Sequence, residues 1–299
     1  MLVNQENYKF KKKLKMKIKK NKLYLVTGGS GFLGFPLVDK IISEGAKVRV
    51  IARDEGKLIS LKEKYPDIEI YPGDIADKFE VKQAMKGVNG VFHLAASKHV
   101  GLAETFVREN IKSNTLGSLN ILEVSLECDL DFILTTSTDK AAQVAGVYGA
   151  TKFLVERLFK QFQSLNPKCQ YRIVRYGNVL YSTGSVLCKW KDLIEQGKEV
   201  IVTEPSATRF FWNVEQAIQL IVDCLDEAID TSPYCPSMKS MRIDNLLEAM
   251  VQKYGNGQVI KIKKIGLQPG ENLHEKVMEE GPYSNKCEQF TIEEIKDLI

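Results

Sequence analysis

The sequence predicts an α/β fold built on a doubly wound parallel sheet, and three observations carry that expectation. Short apolar runs of strand character, at residues 23–27, 47–52, 68–71, 90–96, 132–135 and 171–179, alternate with longer stretches of helical pattern. The first run passes straight into Gly28-Gly-Ser-Gly-Phe-Leu-Gly34 before a helical pattern over 36–44, the order of strand, glycine turn and helix that a dinucleotide site requires. Finally, 299 residues with 44% hydrophobic content can bury a substantial core as one large or two coupled domains.

Within the glycine turn each position has a task. Gly28 permits the tight turn, Gly31 lets the backbone approach a pyrophosphate, and Gly34 allows close helix packing. Ser30, Phe32 and Leu33 complete the loop that would hold phosphate at the helix N-terminus. A glycine-rich match alone is often a mere turn; the strand before it and the helix after it make this one a dinucleotide site. The second strand ends at Arg53, where NAD enzymes usually carry an acid for the ribose 2′-hydroxyl. A guanidinium instead favours a 2′-phosphate, which it can grip bidentately, and Lys57 adds charge nearby. NADP is therefore expected over NAD, while Asp54, next in sequence, can touch a ribose and keeps NAD open.

The fifth apolar run leads into Thr136-Ser-Thr-Asp-Lys-Ala-Ala142 and then Val147 to Lys152, so hydroxyls, an acid and amines emerge at a strand's carboxyl end, where open α/β sheets place ligands. Tyr148 and Lys152 are spaced i, i+4, which on a helix opening near Val147 puts phenol and ammonium on one face. A free tyrosine titrates near ~10, and a neighbouring cation is one way to make its phenolate a usable base. The helix then runs to about Ser164, and 109–128 and 214–228 are also read as helices. Of three histidines, none stands at metal-ligand spacing, so His93 is read as a core residue and no metal is expected.

These motifs carry a resemblance. Tyr-x-x-x-Lys downstream of a glycine-rich nucleotide fold resembles the extended short-chain dehydrogenase/reductases. Ser137-Thr-Asp-Lys-Ala-Ala142 followed by Tyr148-Gly-Ala-Thr-Lys152 is similar to the inverting UDP-N-acetylglucosamine 4,6-dehydratases. The likeness spans residues 23 to about 280, including Arg175-Tyr-Gly-Asn-Val179, Thr208-Arg-Phe-Phe-Trp212 and the stretch from Gly266 to Glu275.

The resemblance implies a Rossmann-type sheet with a smaller C-terminal substrate-binding lobe. Residues 1–22 would be a basic extension, 23–180 with a return segment at about 207–228 an NADP-binding domain, and 181–206 with 229–299 the lobe. Tyr148, assisted by Lys152, would remove the C4 hydroxyl proton of a UDP-sugar while hydride passes to NADP+. Lys140, if held neutral, would take the C5 proton, protonated Asp139 would donate to the C6 hydroxyl, and Thr138 would hydrogen-bond the reacting oxygen. Hydride return to C6 and reprotonation from the opposite face would give an inverted 4-keto-6-deoxy sugar. Further cofactor contacts are implied at Asp74, Ile75, Ala95 and Lys98, and substrate contacts at Lys98, Asn178, Val186, Thr203, Arg209 and Glu271. Asp74 also reads as an ordinary turn acid, Lys98 as a solvated lysine and Arg209 as a fold-stabilising arginine. Asn114 reads as a support for the fold. Relatives tend to form homo-oligomers.

The chain departs from the pattern at Gln143, Val144 and Gly146, where Asn-Pro and then Asn are usual, and at Gln268, where an arginine is usual. Substrate identity is the inference those positions leave open. A nicotinamide-dependent 4-epimerase would share Tyr148 and Lys152 without needing Asp139 and Lys140. A non-catalytic NADP-sensing protein would need neither pair.

Composition narrows the setting. Six cysteines without a Cys-x-x-Cys pair read as reduced thiols of a cytoplasmic protein. No apolar run approaches the roughly 18–20 residues that span a bilayer. Residues 1–22 hold nine lysines and one glutamate, so the positive formal charge of the chain belongs to this arm and the remainder is mildly acidic. The arm reads either as a basic tether to anionic lipid or nucleic acid or as a solvated extension leading into the first strand; no nucleic-acid function is inferred.

Overall fold

A computed structural model describes residues 16–299, so most of the lysine arm lies outside the described residues. Its last part leads into the sheet: Met16 and Ile18 pack against the core, and the Lys19 backbone N–H donates to the Tyr24 hydroxyl at 3.0 Å.

The central sheet consists of β1 (Leu23–Thr27), β2 (Lys47–Ala52), β3 (Glu69–Pro72), β4 (Gly90–His93), β5 (Phe132–Thr138) and β6 (Gln170–Tyr176). All neighbours are parallel, in the order β3-β2-β1-β4-β5-β6. This is the doubly wound Rossmann order, and its direction reverses between β1 and β4, where such sheets hold ligands. Helices cover both faces, so the strands read as nearly continuous apolar runs; all seven residues of β5 are buried. On one side α1 (Gly34–Ser43) and α2 (Glu55–Lys64) pack with Val26, Val50 and Leu134. On the other are α3 (Lys78–Ala84), α4 (Val100–Thr105), α5 (Val107–Asn110), α6 (Gly117–Ser125) and α7 (Val147–Leu165), whose Val155 and Phe159 join Leu25 and Ile133.

Beyond β6 come β7 (Asn178–Val179), α8 (Val186–Glu195), β8 (Val200–Val202), β9 (Thr208–Trp212), α9 (Val214–Glu227), β10 (Ser240–Arg242), α10 (Ile243–Tyr254), β11 (Ile262–Lys264) and α11 (Ile292–Leu298). A three-stranded sheet β10-β9-β7 and a parallel pair β11-β8 pack with α8, α10 and α11 around Trp190, Met241 and Met250. The N-terminus of α9 carries an Asn213/Gln216 capping box, and its Ile218, Ile221 and Leu225 join the cluster of Val26 and Val38.

Two elements differ from the sequence expectation. The strand expected over 171–179 breaks at Gly177, where a Cβ would stand 2.4 Å from the Phe210 carbonyl oxygen. The chain passes that close in order to change sheets, and Asn178 then pairs with Phe211. The helix expected over 109–128 contains a π-helical stretch, Ile111–Leu116. That stretch carries Asn114, whose amide spans the Ser97 backbone (2.7 and 2.9 Å) and Thr151 (3.0 Å), as expected of a supporting residue.

Candidate active site

Gly28, at the carboxyl end of β1, has a positive φ of 69°, and a Cβ there would meet the Ala95 Cα at 3.0 Å. The turn and the end of β4 thus lie backbone against backbone. At Gly34 a Cβ would fall 2.2 Å from the Gly28 carbonyl oxygen and 2.6 Å from the Gly29 Cα, so α1 can only start this close on glycine. Gly31 is exposed, and a Cβ there would meet only the Gly28 carbonyl oxygen, at 3.1 Å. Leu33 supplies no side-chain cap to α1, so the first-turn N–H groups, flanked by half-buried Ser30, Phe32 and Leu33, form a cradle suited to a diphosphate. A nicotinamide dinucleotide fits this turn.

At the ribose end Arg53 is exposed, and among the described residues it makes no hydrogen bond or ion pair. Its neighbours are engaged with each other. Asp54 caps α2 by accepting the Lys57 N–H at 3.0 Å, and its other oxygen pairs with the Lys57 ammonium at 3.2 Å. Both side chains are exposed, so a cofactor would compete only with a weak surface pair. Asp74 accepts the Ala76 N–H at 3.0 Å, as a turn acid does. Ile75 has its side chain in the core and its carbonyl on Asn120 at 2.9 Å, so its side chain is not a cofactor contact. The Lys98 ammonium lies over the Phe32 ring, 5.8 Å from its centroid, which places it at the glycine turn. His93 bridges Thr27 and Ser118 at 2.8 Å each, and burial pushes its imidazole down to about 3. It is a neutral core residue.

The second group forms where β5 ends. Thr138 opens a 3-10 turn, Asp139–Ala141, and α7 runs past it so closely that a Cβ on Gly149 would stand 2.3 Å from the Lys140 carbonyl oxygen. A contact not anticipated from sequence fixes the start of α7: Glu104 of α4 accepts the Val147 N–H at 2.7 Å. This brings the Tyr148 phenol under the influence of Thr138, Lys140 and Asp139. Burial raises the phenol above its ordinary range, Lys140 opposes that, and Asp139 adds to it. Lys152 is 4% exposed, and burial pushes its amine down to about 8 against the pull of Glu156. Lys140 is thus a second cation bearing on the phenol, beside the Lys152 that the i, i+4 spacing sets on the same helix.

Asp139 and Lys140 differ from expectation in protonation. The Lys140 ammonium donates to Asp139 Oδ1 at 3.0 Å and pairs with Glu275 Oε1 at 3.1 Å. Burial alone would lower this amine, but Asp139 first and Glu275 second outweigh it and hold Lys140 charged. Burial likewise pushes Asp139 up, yet Lys140, Glu275 and Thr138 (2.9 Å) hold its carboxyl below the usual range. Burial and the charge of Asp139 push Glu275 up to about 8. At neutral pH the cluster is therefore an ammonium, a carboxylate and a neutral carboxylic acid. Glu275 was not singled out in the sequence, where Glu271 was chosen from the same stretch. Glu271 instead closes a local turn with the Gln268 N–H at 3.0 Å.

Residues 24–296 match the family model described as polysaccharide biosynthesis protein. The chain belongs to this family. It is 36% identical over 290 residues, 94% of this chain and 85% of the relative, to the "Uncharacterized membrane protein MJ1061" of Methanocaldococcus jannaschii. It is 33% identical, over 84% of this chain and 75% of the relative, to the inverting UDP-N-acetylglucosamine 4,6-dehydratase of Campylobacter jejuni. A UDP-glucose 4-epimerase of Rickettsia canadensis is 31% identical over 86% of this chain and 78% of its own length. Among solved structures, Pen from Bacillus thuringiensis superposes with a TM-score of 0.89 at 28% identity, covering 94% of this chain and 98% of that one. The DesIV dTDP-glucose 4,6-dehydratase of Streptomyces venezuelae, solved with NAD, shares the fold at a TM-score of 0.78 and 16% identity, over 92% of this chain and 95% of that one. Family membership thus brings in both dehydratases and epimerases of nucleotide sugars, and among the described residues no helix is long and apolar enough to cross a membrane.

The remaining sugar-side positions of this family member scatter in role. Asn178 donates to the Phe210 carbonyl at 3.2 Å, Val186 opens α8 exposed, and the Thr203 carbonyl accepts the Gly266 N–H at 2.8 Å. Arg209 is buried against the Thr208 and Leu273 carbonyls (2.9 and 3.1 Å) and Glu275 (3.4 Å), which favours the fold-stabilising reading over a diphosphate contact. A strap from Glu275 to Glu279 ties this region to the main sheet. Fully buried Arg175 holds Glu156 (2.6 Å), the Val277 carbonyl (2.8 Å) and Glu279 (2.9 Å). Among the departures, Gly146 leaves no room for a Cβ, which would stand 2.4 Å from Glu104 Oε1 and 2.9 Å from the Gly270 Cα.

Proposed function

We propose that the chain is an inverting sugar-nucleotide 4,6-dehydratase acting on UDP-N-acetylglucosamine with NADP. Residues 23–180 and the return segment at about 207–228 form the cofactor half, and 181–206 with 229–299 the sugar half. One observation carries the reading: a buried, ion-paired Asp139 and Lys140 stand against the Tyr148 phenol at the carboxyl end of β5. Simple 4-epimerisation needs the phenol alone, whereas loss of water across C5 and C6 needs a further base and a further acid.

When bound, the nicotinamide supplies the hydride chemistry, oxidation at C4 and reduction at C6. The protein supplies the proton chemistry. Tyr148, as phenolate, takes the C4 hydroxyl proton, aided by Thr138 and by the Lys140 charge that opposes its burial. With C4 a ketone the C5 hydrogen becomes acidic. The ion pairs reverse the roles expected from sequence: Asp139 is the group in basic form and takes the C5 proton, and Lys140 is the group in acidic form and protonates the departing C6 oxygen. Lys152, buried and with its amine lowered to about 8, holds the cofactor ribose. Arg53 receives the 2′-phosphate.

Incubation with UDP-N-acetylglucosamine in heavy water, followed by NMR, tests the reading. The expected result is a 4-keto-6-deoxy product with deuterium at C5; no keto product and no C5 exchange would overturn it. The second reading, a UDP-sugar 4-epimerase, is favoured by the Rickettsia relative. Asp139→Asn separates the two, since epimerisation survives that change and dehydration does not.

A further inference from the structure

Glu275 is 2% exposed and Asp139 is 1% exposed, and Lys140 bridges one oxygen of each. Their other oxygens, Glu275 Oε2 and Asp139 Oδ2, are buried and find no donor among the described residues. A buried carboxylate oxygen without a donor is costly. Two of them on carboxyls that one ammonium bridges at 3.0 and 3.1 Å, and whose ionisation each governs the other's, can be satisfied together by a single proton placed between them, as in the paired carboxylates of acid proteases. Lys140 reaches the pair from the turn after β5 and Arg209 approaches Glu275 at 3.4 Å from β9, while the Tyr148 phenol on α7 and the Cys235 thiol, which burial pushes up, both feel the charge of Asp139.

We propose that Glu275 and Asp139 share one proton through Oε2 and Oδ2, and that Glu275 is the positioning residue that keeps Asp139 basic and Lys140 charged for the elimination. The assignment rests on the dehydratase reading for its kinetic consequence but not for the shared proton. The proton balance closes within the cluster. The C5–H bond breaks and its proton joins the carboxyl pair as the C5–C6 double bond forms. One Lys140 N–H bond breaks, an O6–H bond forms, and the C6–O6 bond breaks to release water. The pair, now holding two protons, returns one to the neutral Lys140 amine across the 3.0 and 3.1 Å contacts. The cluster ends with the charge it began with.

The test is an NMR titration of the full-length protein labelled with carboxyl-13C glutamate, the Glu275 signal being assigned from the spectrum lost in Glu275→Gln. The expected result is a carboxyl that stays protonated at pH 6, titrates near 8 as burial and Asp139 dictate, and moves to lower pH in Asp139→Asn, which removes the neighbouring charge. A Glu275 carboxyl already ionised at pH 6, or one indifferent to Asp139→Asn, overturns the proposal. Kinetics give an independent arm, because kcat/KM reports the free enzyme. Wild type should lose about a hundredfold between pH 7 and 9, as two titrations near 8, those of Glu275 and Lys152, require. Glu275→Gln, which mimics the protonated acid, should be several-fold slower at pH 7 and keep only the roughly tenfold fall that belongs to Lys152, while Glu275→Ala loses turnover. An alkaline fall unchanged in Glu275→Gln refutes the proposal. A shared proton seen by NMR with no dehydration in any variant refutes the dehydratase reading instead.

Discussion

Replacing Lys140 by methionine removes the cation from two buried carboxyls while keeping the length of the side chain. Its amine is 3.0 Å from Asp139 and 3.1 Å from Glu275, and its side chain is only 17% exposed. Removing one member of a buried ion pair typically costs about 3–5 kcal/mol, because the other charge stays buried without compensation. At about 2 °C per kcal/mol for a chain of this size, Tm should fall by roughly 6–10 °C. The pH dependence identifies the cause. Without the ammonium, burial lifts Asp139 above its unfolded value of ~3.9, so the folded protein binds a proton that the unfolded chain releases. The stability of the variant then declines as pH rises, and its deficit against the parent is small at pH 5 and large at pH 8. Urea unfolding at both pH values measures this. A deficit below about 1 kcal/mol, the scale of a surface pair, or one that does not change with pH, would refute the buried-cluster account.

Lys152→Met should do the opposite to stability. The amine is buried and lowered to about 8, so at neutral pH the fold carries a charge it opposes, and methionine should gain about 1–3 kcal/mol while turnover is lost. Because the folded pKa lies below the unfolded one, that gain is present below pH 8 and vanishes above the unfolded value; thermal melts that show no gain at pH 7 would contradict it. Arg53→Ala should weaken NADPH binding roughly 10- to 100-fold, as loss of a charge-assisted contact does, with NADH binding unchanged; equal losses in calorimetry would remove the 2′-phosphate role. Gly34→Ala brings a Cβ to 2.2 Å from the Gly28 carbonyl oxygen, and neither backbone can yield cheaply. Stability should drop by about 1–3 kcal/mol with dinucleotide binding abolished, and normal binding in a fluorescence titration would show that the turn tolerates a side chain.

Much of the frame was legible because its causes are local. A fully buried parallel strand shows as the apolar run from Phe132, and a helix that must start against a strand end shows as Gly34, so the doubly wound parallel sheet and the place of Tyr148 beyond a strand's carboxyl end followed. The misreadings share a different cause. Tyr148 was paired with Lys152 from one helix, and the influence on the phenol of a third element, the turn bearing Lys140, was not foreseen. Asp139 and Lys140 were given protonation states without their partner, since Glu275 arrives from a distant segment and no periodicity links the two. Within that segment, buried Glu275 and Val277 flank the more exposed Lys276, but Glu-Lys-Val carries no apolar alternation that would have marked Glu275. The break at Gly177 was hidden because the apolar residues of β6 before it and Val179 after it read as one run, although they belong to different sheets.

The strap from Glu275 to Glu279 has a consequence for how the molecule comes into being. Arg175 meets partners 102 to 104 positions later in the chain, and Lys140 waits still longer for its second carboxyl. A polypeptide emerging from the ribosome can lay down all six parallel strands in order and yet hold a guanidinium inside that sheet with only part of its complement. The cluster is therefore incomplete until translation has passed residue 279, and a product cut short before that point would keep the nucleotide turn, Asp139 and Lys140 but lack the second carboxyl on Lys140 and two of the partners of Arg175.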